Sequence, residues 1–499
     1  MSNILKVFGP PGTGKTTYLL NVVMEELNRD VNPADICFIA FTRKASHEAR
    51  ERAVEKFGLE EESFPWFRTL HSFAYRRLGI RSGQVMSFRD YLVIAKELGI
   101  SITFKAIDED GTFVGYSKGD RLLFTENMAR MTRRPLEEYW NEHGEMLELA
   151  EVKLVRDTLI EYKKAYSKLD FTDMIELWIK SDDEPQFVSL IVDEAQDLSK
   201  IQWDMIKKLA RNAERVTIAG DDDQAIFKWA GADVDSFISY PGNQTVLPQS
   251  YRVPRLIQHL ANDIITNISN RVCKIWKSRN APGEVNHIVK LEECDLETGS
   301  WLLLARNSFL IESLNDYCTE RGYVFSSTVG HPIDLALVNV IRSWEKLRRG
   351  ESLPIEAVVA VYDLMSANVG VRHGYKNKIM DVKGEVTLKD LELKHGLMTR
   401  EPWNKALDRL EPREVQYFTN AAQRKEKFTK EPRIKISTIH GAKGGEAENV
   451  LLLTDMAPRT WNEYQKNPDD EHRVWFVAVT RAKEKLYIMN PMTNKHYDL

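Results

Sequence analysis

An eight-residue segment near the start of the chain limits the possible folds more than any other feature. Residues 9–16 read Gly-Pro-Pro-Gly-Thr-Gly-Lys-Thr and lie between an apolar strand pattern and a helix pattern. They match the full pattern G-x-x-x-x-G-K-[ST], in which glycines let backbone N–H groups surround phosphate oxygens at a helix N-terminus. The pattern therefore predicts a nucleoside triphosphate site. The residues predicted to form it are Gly9, Pro10, Pro11, Gly12, Thr13, Gly14, Lys15, Thr16 and Thr17.

Apolar strands that end in glycine-rich or acidic turns, each followed by a helical stretch, recur along the chain. In the first part these strands are predicted at 4–8, 36–41, 187–192 and 216–219. A second set is predicted at 301–305, 434–438, 449–453 and 485–489. This order is the signature of parallel α/β sheets that carry their sites at the carboxyl ends of the strands. We therefore predict an α/β fold with two parallel-sheet cores.

Two mainly helical insertions interrupt the predicted cores. The predicted first core comprises 1–81 and 166–245, and its insertion comprises 82–165. The predicted second core comprises 246–345 and 430–499, and its smaller insertion comprises 346–430. Within the first insertion, an Asp-Glu-Asp-Gly turn at 108–111 could close a short hairpin.

Composition indicates an ordinary soluble protein. The chain has 499 residues and is therefore too long for one hydrophobic core. Of these residues 43% are hydrophobic and 29% are charged, which is typical of a soluble globular protein. Its four cysteines lie far apart, so they predict neither a zinc site nor a disulfide framework and fit a reducing compartment. Neither a signal peptide nor a bilayer-spanning apolar run is predicted, and the expected location is the cytoplasm.

The net charge of −5 argues mildly against a surface covered in positive charge, but two local windows are basic. Residues 249–280 hold six cations against the single acid Asp263; the cations are Arg252, Arg255, Arg271, Lys274, Lys277 and Arg279. Residues 64–77 hold three arginines, five aromatic residues and no acid. Such windows suit a nucleic-acid track, and the alternative for each is a solvated helix face.

A pair of acids, Asp193 and Glu194, closes the predicted strand at 187–192. An acid at that position would hold Mg²⁺ beside the phosphate loop together with the Thr16 hydroxyl, while the adjacent Glu194 would polarise the attacking water. The alternative is an acidic helix cap.

The string Asp-Glu-Ala-Gln-Asp at 193–197 is where the sequence begins to resemble a known family, the superfamily 1 helicases of the UvrD/PcrA/Rep type. Further matches follow in the family's order over nearly the whole chain outside the insertions. They are 38–45 (motif Ia), 69–73 (motif Ib), 169–173, 220–229 (motif III), 249–252 (motif IV), 304–307, 438–446 (motif V) and 476–482 (motif VI). The joint order makes the resemblance specific.

The resemblance implies two RecA-like cores that hydrolyse ATP with Mg²⁺ between them. It assigns catalytic roles to Glu194, Gln224, Arg252 and Arg481, and the arginines suit the charge on a transferring phosphoryl group. A surface arginine or an interdomain salt bridge is the alternative for each arginine. The resemblance also implies that Tyr251 packs near the adenine and that Glu446 accepts a hydrogen bond from the ribose.

The sequence departs from the family pattern at two parts of the nucleotide site. Glu446 follows Lys-Gly-Gly where relatives usually read Lys-Gly-Leu. Relatives carry a glutamine-containing motif before the phosphate loop, and this motif reads the adenine edge. Here eight residues precede Gly9, and we expect that motif to be missing or replaced. Nucleotide specificity is therefore left open.

The resemblance also implies a track for single-stranded DNA. Aromatic side chains stack on bases regardless of sequence, and Phe41, Phe227 and Trp229 fall at the family's base-stacking positions. The residues predicted to contact the sugar-phosphate backbone are Thr42, Arg43, His71 and His440. For Trp229 and His71 the alternative is a structural residue of the core.

The resemblance implies an ATP-dependent DNA helicase that moves 3′→5′ on single-stranded DNA and at single-strand/duplex junctions. The expected working form is a monomer, in the cytoplasm or in the host cytoplasm if the chain is phage-encoded, and the pathway, such as DNA repair or replication, is left open. One alternative is an ATP-switched nucleic-acid-binding protein without processive unwinding. Another is an ATPase that acts on proteins or small molecules. The preference for DNA over RNA and the protein partners are left open.

Overall fold

The computed structural model describes residues 3–103, 115, 117–144, 146–428 and 431–499. The chain divides into two compact units. Unit 1 is Met1–Gly283 with Asn462–Thr480, and unit 2 is Glu284–Trp461 with Arg481–Leu499. The turn predicted at 108–111 lies outside the described residues.

Unit 1 is built on a six-stranded sheet in which every neighbouring pair is parallel. Its strands are β1 (Asn3–Phe8), β2 (Ile36–Ile39), β3 (Phe67–Arg68), β4 (Phe187–Val192), β5 (Ala213–Gly220) and β6 (Asn243–Val246). They lie in the order β3-β2-β4-β5-β1-β6. The central strands are apolar runs because helices cover both faces of a parallel sheet. Along β2, for example, Cys37 and Ile39 pack into one hydrophobic cluster while Ile36 and Phe38 pack into the other.

The helices of unit 1 begin at residues whose side chains accept from free backbone N–H groups. Thr42 accepts from Ala45 at the start of one helix, and Thr69 accepts from Ser72 at the start of the next. The helices are α1 (Lys15–Leu27), α2 (Arg43–Phe57), α3 (Leu70–Arg77), α4 (Phe88–Leu98), α5 (Lys118–Met131), α6 (Leu136–His143), α7 (Leu149–Tyr166), α8 (Phe171–Lys180), α9 (Lys200–Arg211), α10 (Val234–Ser239) and α11 (Arg255–Ile265).

The insertion predicted at 82–165 is helical over its described residues, and it is continuous with the core of unit 1. Tyr91 and Leu122, from α4 and α5, belong to the same buried hydrophobic cluster as Val192 and Val216 of the sheet. The insertion therefore gives the helical side of the sheet a larger core instead of forming a core of its own.

Unit 2 contains a second six-stranded parallel sheet, in the order β7-β14-β13-β8-β12-β9. The strands of the unit are β7 (Glu284–Ile288), β8 (Trp301–Ala305), β9 (Phe325–Ser327), β10 (Leu353–Pro354), β11 (Glu385–Val386), β12 (Ile434–Thr438), β13 (Ala447–Leu453) and β14 (Ala482–Met489). The short β10 and β11 form a separate antiparallel pair. Two parallel α/β cores are thus confirmed, and every strand of both predicted sets is present.

The second predicted insertion is helical with its own hydrophobic cluster, which includes the fully buried Val358 and Leu391. The helices of unit 2 are α12 (Ser308–Arg321), α13 (Leu337–Arg348), α14 (Ile355–Asp363), α15 (Tyr375–Lys378), α16 (Leu388–Lys394), α17 (Trp403–Ala406) and α18 (Pro412–Gln423). Two further helices are α19 (Pro458–Lys466), which crosses the boundary of the units, and α20 (Pro468–Val479), which belongs to unit 1.

The units divide at a different point from the predicted boundary at 245/246. Unit 1 continues to Gly283 because the segment after β6 packs against the phosphate loop and the end of β5. The Ser250 hydroxyl donates to the carbonyl of Pro11 at 2.7 Å, and Lys274 lies 3.0 Å from Asp221. These long-range contacts leave no hydrophobic strand pattern in the sequence, so strand patterns alone do not show that the compact unit extends to Gly283.

Candidate nucleotide site and nucleic-acid track

The phosphate loop joins β1 to α1 at the carboxyl edge of the first sheet. Its start is fixed by the Gly9 amide, which donates to the Gly220 carbonyl at 2.9 Å. A side chain at Gly9 would place its Cβ 2.1 Å from Lys15 Cγ, so the close approach of Lys15 requires glycine. Gly14 is the N-cap of α1 and has no side chain that could accept from the backbone N–H groups of the first turn. These N–H groups are therefore not capped by Gly14. This is the arrangement that binds phosphate.

Lys15 and the acids after β4 lie together in this structure. Lys15 Nζ is 3.1 Å from Glu194 Oε1 and 3.2 Å from Oε2. Burial opposes the charge on Lys15, but the carboxylates of Glu194, Asp193 and Asp221 outweigh it and raise the pKa of Lys15. The strand order explains the meeting, since β5 alone separates β4 from β1.

Asp193 lies behind this ion pair and is 5% exposed. Burial, and then the negative charge of Glu194, raise the pKa of Asp193 to about 7. A carboxylate held at that cost has a strong electrostatic reason to bind a cation. Among the described residues no group of three or more His, Cys, Asp and Glu side chains could hold a metal ion by itself. Mg²⁺ commonly binds through one or two carboxylates and phosphate oxygens, and Asp193 with Thr16, the second residue of α1, fits that pattern.

Glu194 has left-handed backbone angles, φ 52° and ψ 40°, which are costly for a residue with a Cβ. Its Oε2 accepts a hydrogen bond of 2.6 Å from Gln196 Nε2. Gln196 Oε1 in turn accepts from the Asp221 amide at 2.9 Å, and Asp221 Oδ2 accepts from Gln224 Nε2 at 2.7 Å. A chain of hydrogen bonds thus runs from Glu194 to Gln224. The predictions assigned no role to Gln196, although it lies within the acidic string at 193–197.

The segment predicted as motif IV contacts the phosphate loop directly. The Tyr251 amide donates to the Gly12 carbonyl at 2.8 Å, and a Cβ on Gly12 would lie 2.3 Å from Arg252 Cβ. The Tyr251 side chain is 72% exposed, as a residue needs to be to stack on a base. Ser250 is fully buried and holds this segment against Pro11, a role that the sequence did not suggest.

Two of the three predicted base-stacking aromatics of unit 1 form a ring pair. The rings of Phe41 and Phe227 are stacked, with centroids 6.1 Å apart and planes 19° apart. Trp229 follows on a short 3-10 helix and is 48% exposed, which answers the alternative of a core tryptophan. Its neighbour Lys228 pairs with Asp470 of α20 at 3.3 Å.

Two of the three predicted backbone-contacting residues of unit 1 lie beside a cavity of about 440 Å³. Arg43, at the exposed start of α2, and His71, on α3, both line it. Thr42 caps α2 with its hydroxyl. His71 is buried with its ring edge-on to Phe171, and burial, then the Arg43 charge, lowers the pKa of His71 to about 4. His71 is therefore neutral at physiological pH, and its burial agrees with the core alternative while its position on the cavity agrees with the binding role.

Three predicted site residues belong to unit 2. Arg481 directly follows α20 and donates to the Gly445 carbonyl at 3.2 Å. Glu446 is paired with Lys483 at 2.5 Å. His440 lies two residues after β12 and is half-buried. In unit 2, then, Arg481 contacts Gly445, the residue that precedes Glu446.

The basic window at 249–280 is not a continuous surface track. Lys274 is 7% exposed and is surrounded by Asp221, Asp222 and Asp223, while Arg271 forms a two-bonded pair with Asp223 at 2.6 and 2.7 Å. Both cations are thus engaged inside unit 1, and neither nucleic-acid binding nor a solvated helix face describes Lys274.

None of the helices among the described residues has the length and apolarity that a bilayer span requires.

Comparisons with known proteins agree with this geometry. The family model for the UvrD/REP helicase N-terminal domain matches residues 1–243, and that for the UvrD-like helicase C-terminal domain matches residues 410–491. The chain is 28% identical over 307 residues to the ATP-dependent DNA helicase PcrA of Staphylococcus aureus strain Mu50, a match that covers 57% of this chain and 40% of the relative. It is 29% identical over 292 residues to the ATP-dependent DNA helicase PcrA of Bacillus subtilis strain 168, covering 54% of this chain and 39% of the relative.

These matches span less than half the length of the curated relatives. The two family models nevertheless include strands of both α/β cores: the first includes the phosphate loop and the acids after β4, and the second includes β12, β13 and β14 around Arg481. The chain belongs to the superfamily 1 helicases of the UvrD/PcrA/Rep type.

Proposed function

We propose that this chain is an ATP-driven motor that moves on single-stranded DNA and separates duplex at its junctions, in the 3′→5′ direction. One observation carries the proposal: Lys15 of the phosphate loop lies 3.1 Å from Glu194, with the buried Asp193 behind it. A phosphate-binding lysine, a metal-binding acid and a water-polarising acid are the parts that phosphoanhydride hydrolysis needs.

The roles in hydrolysis follow from the position of each side chain. The loop amides and Lys15 would hold the β- and γ-phosphates, and Thr16 and Asp193 would hold Mg²⁺. The metal ion would neutralise charge on the phosphate oxygens. Glu194 would accept a proton from the attacking water, with Gln196 orienting its carboxylate. Arg252 and Arg481 are the proposed cationic partners of the transferring phosphoryl group.

The nucleotide base and sugar would be held by residues outside the phosphate loop. Tyr251 is proposed to pack on the base because its backbone is tied to Gly12 and its ring is exposed. Glu446 is proposed to accept from the ribose through its second carboxylate oxygen, Oε2, while Oε1 pairs with Lys483.

A short path joins the nucleotide site to the proposed track. Gln224 is hydrogen-bonded to Asp221 at the end of β5, and the same loop continues through Phe227 to Trp229. A movement of Gln224 on γ-phosphate loss would therefore reach the ring stacked on Phe41 within three residues. Phe41, Phe227 and Trp229 would stack on bases, while Thr42, Arg43, His71 and His440 would contact the backbone without reading sequence.

The family relation also supports proposals about the setting in which the chain acts. The relatives are described as ATP-dependent DNA helicases, and we propose the same class of work here, in DNA repair or replication in the cytoplasm. We retain a monomer as the proposed working form, and the predicted division into cores and insertions as the functional domains.

The test is the rate of ATP hydrolysis with no polymer, with single-stranded DNA, with single-stranded RNA and with blunt duplex DNA. The proposal expects single-stranded DNA to stimulate turnover well above the other three. Equal rates with and without polymer would instead indicate an ATPase that acts on another substrate. Parallel assays with GTP and CTP would show which base the site accepts.

A further inference from the structure

A buried charge cluster lies directly behind the loop that carries Gln224. Three consecutive acids, Asp221, Asp222 and Asp223, are each at most 1% exposed. Lys274, which is far away in sequence, points its ammonium group into the centre of the three. Its Nζ lies 3.0 Å from Asp221 Oδ1, 2.5 Å from Asp222 Oδ1 and 2.8 Å from Asp223 Oδ2.

The chemistry of the three contacts suits lysine. An ammonium group carries three N–H donors around one charge, so each carboxylate can accept one of them. Three buried acids in a row would repel one another strongly without such a centre. Burial lowers the pKa of Lys274, and the three aspartates more than reverse that effect, so the pKa is raised and the side chain stays charged.

The members of the cluster have different second contacts. Asp222 Oδ2 accepts from the Val272 amide, and Asp223 accepts from Arg271. Asp221 alone is bonded toward the nucleotide site: its Oδ2 accepts from Gln224 Nε2 at 2.7 Å, and its amide donates to Gln196. One oxygen of Asp221 is therefore held by Lys274 while the other holds Gln224.

We propose that Lys274 is a positioning residue of the nucleotide site, which fixes Asp221 and through it the side-chain amide of Gln224. The role in turnover rests on the proposed function, since it assumes that Gln224 senses the γ-phosphate. The lysine also lies 5.8 Å from the centre of the Phe8 ring, at the end of the strand that enters the phosphate loop. It thus ties the Gln224 loop and the phosphate loop to one buried point.

The variant that tests this is Lys274→Met combined with Asp222→Asn. Removing the lysine alone would leave three uncompensated buried carboxylates and endanger folding. Asp222→Asn removes one of those charges, and its amide oxygen can still accept from the Val272 amide. The double variant should fold, but the Oδ1 of Asp221 would have lost its charged partner and would keep only the 3.3 Å bond from the Asp223 amide.

The matched controls are Arg271→Met and Asp222→Asn alone. Arg271 contacts Asp223 and not Asp221, so its loss should lower stability and leave Gln224 in place. With saturating single-stranded DNA, the double variant is expected to lose about a hundredfold in kcat, the scale of a misplaced catalytic group, with little change in KM for ATP. Both controls are expected to keep kcat near the wild-type value. A double variant with wild-type kcat, or an Arg271→Met variant with an equal loss, would overturn the proposal.

Hydrogen exchange at residues 221–229 reads the positioning without any turnover. Exchange should be faster in the double variant and unchanged in Arg271→Met, and equal protection in all the proteins would overturn the inference. If the wild type itself shows no DNA-stimulated turnover, the proposed function fails, and the exchange result still decides whether Lys274 orders the loop.

Discussion

Glu194 combines a strained backbone with two side-chain partners. A non-glycine residue in the left-handed region costs on the order of 1–3 kcal/mol. The surrounding contacts with Lys15 and Gln196 hold it there and aim its carboxylate at the mouth of the phosphate loop. In this state Glu194 occupies the lysine that a bound phosphate would need, so nucleotide binding and the Lys15–Glu194 pair compete.

This competition predicts that Glu194→Gln separates binding from hydrolysis. The amide should release Lys15 more readily and remove a negative charge near the phosphates, so ATP should bind at least as tightly as in the wild type. Turnover should fall by about a hundredfold or more because the proton acceptor is lost. Titration with a fluorescent ATP analogue and a steady-state ATPase assay measure the two effects. Undiminished turnover, or much weaker binding, would contradict the assignment of Glu194.

We expect Asp193, as the proposed metal ligand, to make the stability gained from Mg²⁺ binding depend on pH. Its folded-state pKa of about 7 lies above that of an unfolded aspartate, so the folded protein binds the extra proton between those values. The stability that comes from the protonated carboxyl is present below the unfolded pKa and is lost as pH rises through about 7. Mg²⁺ needs the ionised form and competes with that proton.

We therefore expect the rise in melting temperature caused by Mg²⁺-ATP to increase between about pH 6 and about pH 8. In the Asp193→Asn protein this increase should be smaller, because the amide does not titrate. The protonation of ATP also depends on pH, but it affects the wild type and the variant equally. The difference between their two pH profiles therefore reports on Asp193. Identical pH profiles for the two proteins would show that Asp193 does not bind the metal ion.

At the scale of elements, the carboxyl edge of the first sheet brings the site together. Strand β5 lies between β4 and β1. The phosphate loop follows β1, Asp193 follows β4 and Asp221 follows β5, so the three lie at the ends of adjacent strands. This much could be predicted from the sequence, because each apolar strand was followed by its polar turn and parallel strands end at one edge. The strands with short or weak apolar patterns, such as β3 and β6, could not.

The positions of charged side chains were the harder part to predict. Composition could indicate that 249–280 is basic, but not that Lys274 and Arg271 turn inward to the acids at 221–223. Such pairing is decided by tertiary packing between segments about fifty residues apart, and it has no local periodicity to reveal it. The same reason hid Ser250 and Gln196, whose hydrogen bonds reach the phosphate loop and the end of β5.

A buried arginine of helix α20 bonds two backbone carbonyls elsewhere in unit 1. Arg473 is 2% exposed and donates to the carbonyls of Asp222 and Asn270, at 2.9 and 2.7 Å. Arg473→Ala should leave the buried Asp222 carbonyl and the partly buried Asn270 carbonyl without this donor and cost about 2 kcal/mol of unfolding free energy. Urea denaturation of the full chain measures this.

The matched control for Arg473 is Asp470→Asn on the same helix. Asp470 pairs with Lys228 at the surface, with side chains 33% and 52% exposed, and it also lies 3.5 Å from Arg473, where the amide oxygen of the Asn variant can still accept. Such a pair contributes about 0–1 kcal/mol, so the midpoint should hardly move. Equal shifts for the two variants would contradict this stabilising role of Arg473.

At the scale of the whole molecule, the chain is a superfamily 1 helicase relative with two parallel α/β cores. The ordered motifs were enough to predict the family and both sheets. The end of unit 1 at Gly283 was not predictable from strand patterns, because the segment that extends it has polar anchors. The account joins these parts into one claim: hydrolysis at Lys15 and Glu194 drives movement of DNA over Phe41, Phe227 and Trp229.

Strand displacement on a tailed duplex measures that claim most directly. The substrates are duplexes with a 3′ tail, a 5′ tail or no tail, each with ATP, with a non-hydrolysable analogue, and with the Glu194→Gln protein. The account predicts that the wild type displaces the strand of the 3′-tailed duplex, and of neither other substrate, and does so with ATP but not with the analogue. Displacement that persists with the analogue or with Glu194→Gln, or none at all despite DNA-stimulated hydrolysis, would contradict it.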